Sequence, residues 1–124
     1  MKRDMDLIRA LLIAVDDAPT PELQVLPDLP PADDDEIAYH ARLLIQAGFL
    51  TAIDISDNAQ ERYQDLSVTW EGHEFLESVR DPQIWSATKD GAKKLGSWSI
   101  GVIADLAKGA IVAKAHALGL PIGG

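Results

Sequence analysis

The chain contains no cysteine. Disulfides, thiolate metal sites and a cysteine nucleophile are therefore excluded, and the composition suits a reducing cytoplasm. It also lacks any uncharged apolar run of about eighteen residues, so no transmembrane helix is expected. The opening "MKRDMDLIRALLIAV" is basic and then apolar, as a signal peptide would be. Asp4, Asp6 and Arg9 break that pattern, and the segment reads as a soluble helix. Basic charge is scarce where nucleic acid would need it. Residues 1–66 hold five bases against fourteen acids, which accounts for the whole formal net charge of −9. A domain that grips DNA unaided normally presents a basic face. HExxH, Walker-type phosphate loops and calcium-loop spacing are all missing. No nucleophile–base pair stands out, so we expect no enzyme, no cofactor and no metal.

What is present suits one small folded domain with an appendage: 124 residues, 47% apolar and 25% charged. Asp4 can cap a first helix whose Leu7, Ile8, Leu11, Leu12 and Val15 share one face. Five prolines between Pro19 and Pro31 then leave room for one short edge strand in "ELQVL". A second helix is expected from about Asp34 to Ala47. Its buried face would be Ile37, Ala41, Leu44, Ile45 and Gly48, and its outer face Asp35, Ala38, Tyr39, Arg42 and Gln46. The carboxylates of Asp33–Glu36 can cap this helix and favour the positive end of its dipole. "FLTAIDI" and "DLSVTW" form a hairpin with a polar, mostly acidic tip. Thr69 can cap a helix over Trp70–Arg80. Asp81-Pro82 starts another, which ends at Gly96. Ser97 restarts the chain into a last helix, Trp98 to about Leu118, apolar on most sides and rich in Ala and Gly. Such a helix seeks burial on most sides.

"MKRDMDLIRALL", "EIAYHARLLIQAGFL", "LTAIDIS" and "VTWEGHEFLESVRDPQIWSATK" resemble the domain of unknown function 2513 family. Its members are small bacterial, prophage and phage proteins with a winged-helix-like fold. The resemblance runs from about Met1 to Ala117. It implies a fold and a mobile-element setting, and no catalytic residues. The expected fold class is thus α+β, mainly α. A winged-helix-like core with a β-hairpin wing would occupy residues 1–80, and a C-terminal helical extension residues 81–124.

Several residues carry the functional expectations. Asp35, Tyr39, Arg42 and Gln46 lie on the face that would meet a partner. Arg42 and Gln46 have the donors for base edges, and Tyr39 and Arg42 are common at protein interfaces. Trp98, Val102, Ile103, Leu106 and Ile111 are the expected homo-oligomer contacts. Trp70 and Trp85 are expected in the core. His73 could pair with Glu71 or Glu74 as a general base or metal ligand, and His40 could lie at the core edge; structural roles are favoured for both. Lys89, Lys93 and Lys94 are the one basic cluster. The leading functional expectation is a cytoplasmic, non-enzymatic adaptor or regulator that binds a protein, such as a host defence or nucleic-acid-handling protein. The alternatives are a DNA-binding transcriptional regulator, disfavoured by the acidic half, and a protein that self-assembles or, less readily, meets a membrane through its last helix.

Overall fold

The computed structural model describes residues 1–121. Its elements run α1 (Met5–Asp16), β1 (Leu23–Val25), α2 (Asp34–Gln46), β2 (Leu50–Asp54), β3 (Tyr63–Val68), α3 (Trp70–Val79), α4 (Pro82–Leu95) and α5 (Ile100–Ala117). The fold is α+β and mainly helical. It divides into two compact units, Met1–Leu76 and the chain from Glu77 onward, so the division falls inside α3.

In the first unit, α1 begins where expected. The Asp4 carboxylate accepts the N–H groups of Asp6 and Leu7 at 2.9 and 3.3 Å. The stripe Leu7, Ile8, Leu11, Leu12 and Val15 is buried throughout. Each such aliphatic contributes roughly 1.5–3 kcal/mol on leaving water. The proline-rich segment forms no helix, only the edge strand β1. The sheet order is β1-β3-β2, all antiparallel. Prolines on both sides keep β1 to three residues. Thr51 pairs with Ser67, and Ile53 with Gln64. Two steps on β2 thus face three on β3, a β-bulge, and Asp65 within it has φ 54°.

The α2 N-terminus is a capping box. Asp33 accepts the Glu36 N–H at 2.8 Å, and Glu36 receives the Asp33 N–H at 3.5 Å. Its buried residues are Ile37, Ala38, His40, Ala41 and Leu44. Ala38, expected outside, therefore lies inside. Ile45 is only half-buried and Gly48 is exposed. The cause is that α2 packs against both α1 and β2, which turns and widens its apolar stripe. Gly48 still takes the left-handed position, with φ 80°.

Thr69 fastens α3 to this turn. Its hydroxyl donates to the Gly48 carbonyl at 2.5 Å and accepts the Gly72 N–H at 3.0 Å. The Phe49 and Phe75 rings stack with centroids 5.1 Å apart. The approach is close enough that a Cβ on Gly72 would stand 2.2 Å from the Phe49 carbonyl oxygen. Trp70 departs from expectation: it is 75% exposed. It sits at the first position of α3, on the side opposite Gly72, Phe75, Leu76 and Val79.

In the second unit, Asp81 caps α4 with Pro82 in the first turn, and Gly96 closes it at φ 70°. The next helix starts later than its composition suggests. Ser99, not Ser97, accepts the Val102 N–H, at 3.2 Å, so Trp98 precedes α5 rather than opening it. The helices α4 and α5 pack together. Leu106 presses on Gly91, its Cδ2 lying 3.0 Å from where a Cβ would stand. Only Ile103, Ala107 and Ala115 of α5 are buried.

Candidate functional site: the outer face of α2 and the hairpin

Asp35, Tyr39, Arg42 and Gln46 follow one another at steps of four, three and four, so α2 presents them on one side. Asp35, Arg42 and Gln46 are exposed and Tyr39 is half-buried. Arg42 does not project alone. Its Nε lies 2.8 Å from Glu61 Oε2, and its guanidinium stands 5.2 Å from the centre of the Tyr39 ring. The Tyr63 hydroxyl donates to the same Glu61 oxygen at 2.5 Å. Burial, then the bond to Glu61, holds the Tyr63 phenol well above its ordinary range. The face thus forms a chain Tyr39–Arg42–Glu61–Tyr63 that ties α2 to the loop end of the hairpin. Glu61 was not among the residues singled out in the sequence. Its role appears only when the hairpin folds back beside α2.

The hairpin tip uses its acids to shape itself. Asp57 accepts the N–H groups of Ala59 and Gln60, each at 2.8 Å, and these bonds lower its carboxyl pKa. Asp54, which accepts from Ser56, is lowered by that contact. These are turn-forming carboxylates.

His40 lies deeper than the core edge, at 1% exposure. Its Nδ1–H donates to the Glu36 carbonyl at 2.7 Å, and its Nε2 accepts the Asp4 N–H at 2.8 Å. The tautomer follows from the partners. The side chain is a fixed bridge between α2 and the cap of α1, with no nitrogen left for a ligand. His73 Nδ1 lies 3.4 Å from Asp16 Oδ1 on α1, a partner that spacing along the chain does not reveal. Among the described residues, no group of three or more His, Asp or Glu side chains could hold a metal. None of their helices is long and apolar enough to cross a membrane.

The expected oligomer contacts fare differently from one another. Ile103 is 0% exposed, because it fills the seam of α5, and it offers no surface to a second chain. Leu106 is engaged with Gly91. Trp98, Val102 and Ile111 are half-buried. Trp85 is buried as expected, with Lys89 Nζ 5.9 Å from its ring centre. Lys93 and Lys94 occupy the last turn of α4, where cations favour the helix dipole. Lys114 reaches back to Asp81 at 3.0 Å.

The chain belongs to the family described as "Hypothetical protein (DUF2513)", whose model matches residues 2–99. It is 34% identical over 94 residues to an uncharacterized protein of Haemophilus influenzae, covering 75% of this chain and 80% of that protein. No solved structure matches. The matched region contains the whole face just described. It stops at Ser99, short of the Ala117 to which the resemblance was drawn, so α5 lies beyond it.

Proposed function

From a family that carries no assigned activity, we propose a non-enzymatic adaptor or regulator that acts by binding a protein. In this reading α2 and the hairpin serve as a winged-helix-like scaffold in a cytoplasmic protein of phage or prophage type. Inhibition of a host defence or nucleic-acid-handling protein is the form we favour. One observation carries the reading: Arg42, the base best placed to read DNA, is already paired with Glu61 at 2.8 Å. Bidentate base contacts require a guanidinium free to turn to the groove. The surrounding unit, with its excess of acids, would repel phosphates and attract a basic protein surface. Fluorescence anisotropy with mixed-sequence duplex DNA tests this at roughly 50 and roughly 200 mM salt, since phosphate-driven binding must weaken steeply between them. The expected result is no binding at either. Salt-sensitive binding would overturn the reading in favour of a transcriptional regulator.

A second reading has its own support. With only three residues of α5 fully buried, Ile100, Val102, Leu106, Ile111 and Val112 stay half-buried. Self-association through α5, with Trp98, Val102 and Ile111 in the contact, would cover them. Light scattering is the test, and a clean monomer at high concentration would sink the idea. Contact with a membrane surface ranks lower, because the charges of α5 are spread around the helix.

A further inference from the structure

We propose that a groove in the first unit, beside the start of α2, receives a basic segment of the partner protein that inserts one aliphatic side chain. The proposal rests on the protein-binding reading above and assigns that partner a site and a chemistry.

The groove encloses about 350 Å³. Its apolar lining comes from α2 and the sheet: Val25 on β1 and Leu26 just after it, Ile37 on α2, Ile55 just past β2 and Tyr63 on β3. Ile37 and Tyr63 are buried and make a fixed floor, and Glu61 holds the Tyr63 hydroxyl. Val25 and Ile55 stand open, at 69% and 37% exposure. Gln64 of β3 pairs with Val25 on one side and Ile53 on the other, and Ile53 is also 51% exposed. Val25 and Ile55 are thus the exposed aliphatics of the groove itself, while Ile53, on the far side of Gln64, lies outside its lining.

The volume lies near the low end for ligand cavities, enough for a side chain and too little for a large cofactor. The rim selects the occupant. Asp28, Asp34 and Glu61 line the groove with one base, Arg62; Glu61 is already engaged by Arg42 at 2.8 Å, so Asp28 and Asp34 carry the complementary charge. An anionic segment or a phosphate backbone would meet like charge there. A lysine- or arginine-bearing segment meets the carboxylates of Asp28 and Asp34 beside the apolar floor. Charge then guides the approach, and the aliphatic anchor supplies the specificity.

The test uses the isotope-labelled full chain and three blocked pentapeptides, followed by amide chemical shifts. The probes are Lys-Lys-Leu-Lys-Lys, Lys-Lys-Ser-Lys-Lys and Glu-Glu-Leu-Glu-Glu. We expect the first to move the amides of Val25, Leu26, Ile55 and Tyr63 in a saturable way. The serine peptide should bind about tenfold more weakly, as loss of one buried aliphatic implies. The acidic peptide should move nothing. The double variant Val25→Ser, Ile55→Ser should keep a dispersed spectrum, because both side chains are exposed, and lose about tenfold in affinity for the first peptide. Shifts spread over all the acidic residues and equal for leucine and serine peptides would overturn the groove, leaving bulk charge attraction. Shifts centred on Asp35 and Gln46, or no shifts at millimolar peptide, would overturn it too. The adaptor reading fails separately, through salt-sensitive DNA binding on the same sample. A chain that bound DNA and still seated the peptide would retain the groove and lose the adaptor.

Discussion

The two units of this chain differ in the sign of their charge and in the kind of surface they leave open. Residues 1–76 hold five bases against sixteen acids, a net of −11. Residues 77–124 hold six against four, a net of +2. In the first unit, charged and polar groups are built into the architecture: Asp4 and Asp33 cap helices, Asp57 shapes the hairpin tip, and Arg42 and Glu61 join α2 to the hairpin. In the second, a long apolar helix buries three residues. The acidic unit leaves Val25, Ile53 and Trp70 exposed beside its carboxylates, and in the proposed reading it would recognise a partner by charge around a small groove. The helical unit leaves Leu95 and Leu118 exposed and the large aliphatics of α5 half-buried, Ile103 apart, and recognition there would follow from covering them. The family match includes all of the first kind of surface and stops at the cap of α5.

The glycines break this comparison open most sharply. Gly72→Ala would set a Cβ 2.2 Å from a backbone oxygen and 2.8 Å from Val68 Cγ1, and the carbonyl cannot swing away without undoing the turn at Phe49. We expect a loss of about 3 kcal/mol or more, at the top of the usual overpacking range. Urea unfolding of the full chain measures it. A loss under about 1 kcal/mol would mean that α3 is not held as tightly as its contacts imply.

Next in size is His40→Ala. It opens a cavity and leaves the Asp4 N–H and Glu36 C=O without their buried partner. The expected loss is about 2–3 kcal/mol. His73→Ala is the control, since its side chain is 54% exposed and a surface pair contributes about 0–1 kcal/mol. Equal losses for the two would remove the distinction between a built-in and a surface histidine.

Smaller again is the response to acid. Asp54, Asp57 and Asp81 all have carboxyl pKa values below the ordinary 3.8, from bonds to Ser56, to Ala59 and Gln60, and to Lys114 and the α4 amides. A lowered folded value contributes stability above the unfolded value, and that contribution is lost as pH falls through the folded one. Melting temperature should therefore hold between about pH 7 and 5 as far as these groups are concerned, and fall below about pH 4. Asp57→Ala should flatten the hairpin's share of that fall. A variant with an unchanged acid profile would sink this assignment.

How much of this was legible in the sequence depends on how local the cause is. Asp81-Pro82 and Gly96 define both ends of α4 within a few residues, and the structure places them there. The stripe of α1 and the brevity of β1 are equally local. Trp70 misleads because size and apolarity suggest burial, while helical phase decides it. Glu61 and His40 take their roles from partners 19 and 36 residues away, in Arg42 and Asp4. Gly72 looks like a weak spot in a helix and is instead a contact point. The candidate face on α2 was visible as a spacing; that its arginine is already engaged was not.

The smallest expected effect bears on the other half of the comparison. Unlike Gly72, Gly101 and Gly109 of α5 would meet nothing within 4 Å if given a Cβ. Within one chain, nothing in their surroundings asks for a glycine, and helix propensity argues against it. Each Gly→Ala should therefore raise stability by roughly 0.5–1 kcal/mol. That gain holds only while the surface of α5 faces water. If a second copy packs against these positions, added bulk meets its backbone, and Gly109→Leu should lower the oligomer order while leaving the monomer folded. Light scattering and thermal melting of the same variant separate the cases. A higher melting temperature with unchanged mass would make α5 a free surface. A lower mass at equal helicity would mean that its small residues are kept for another chain.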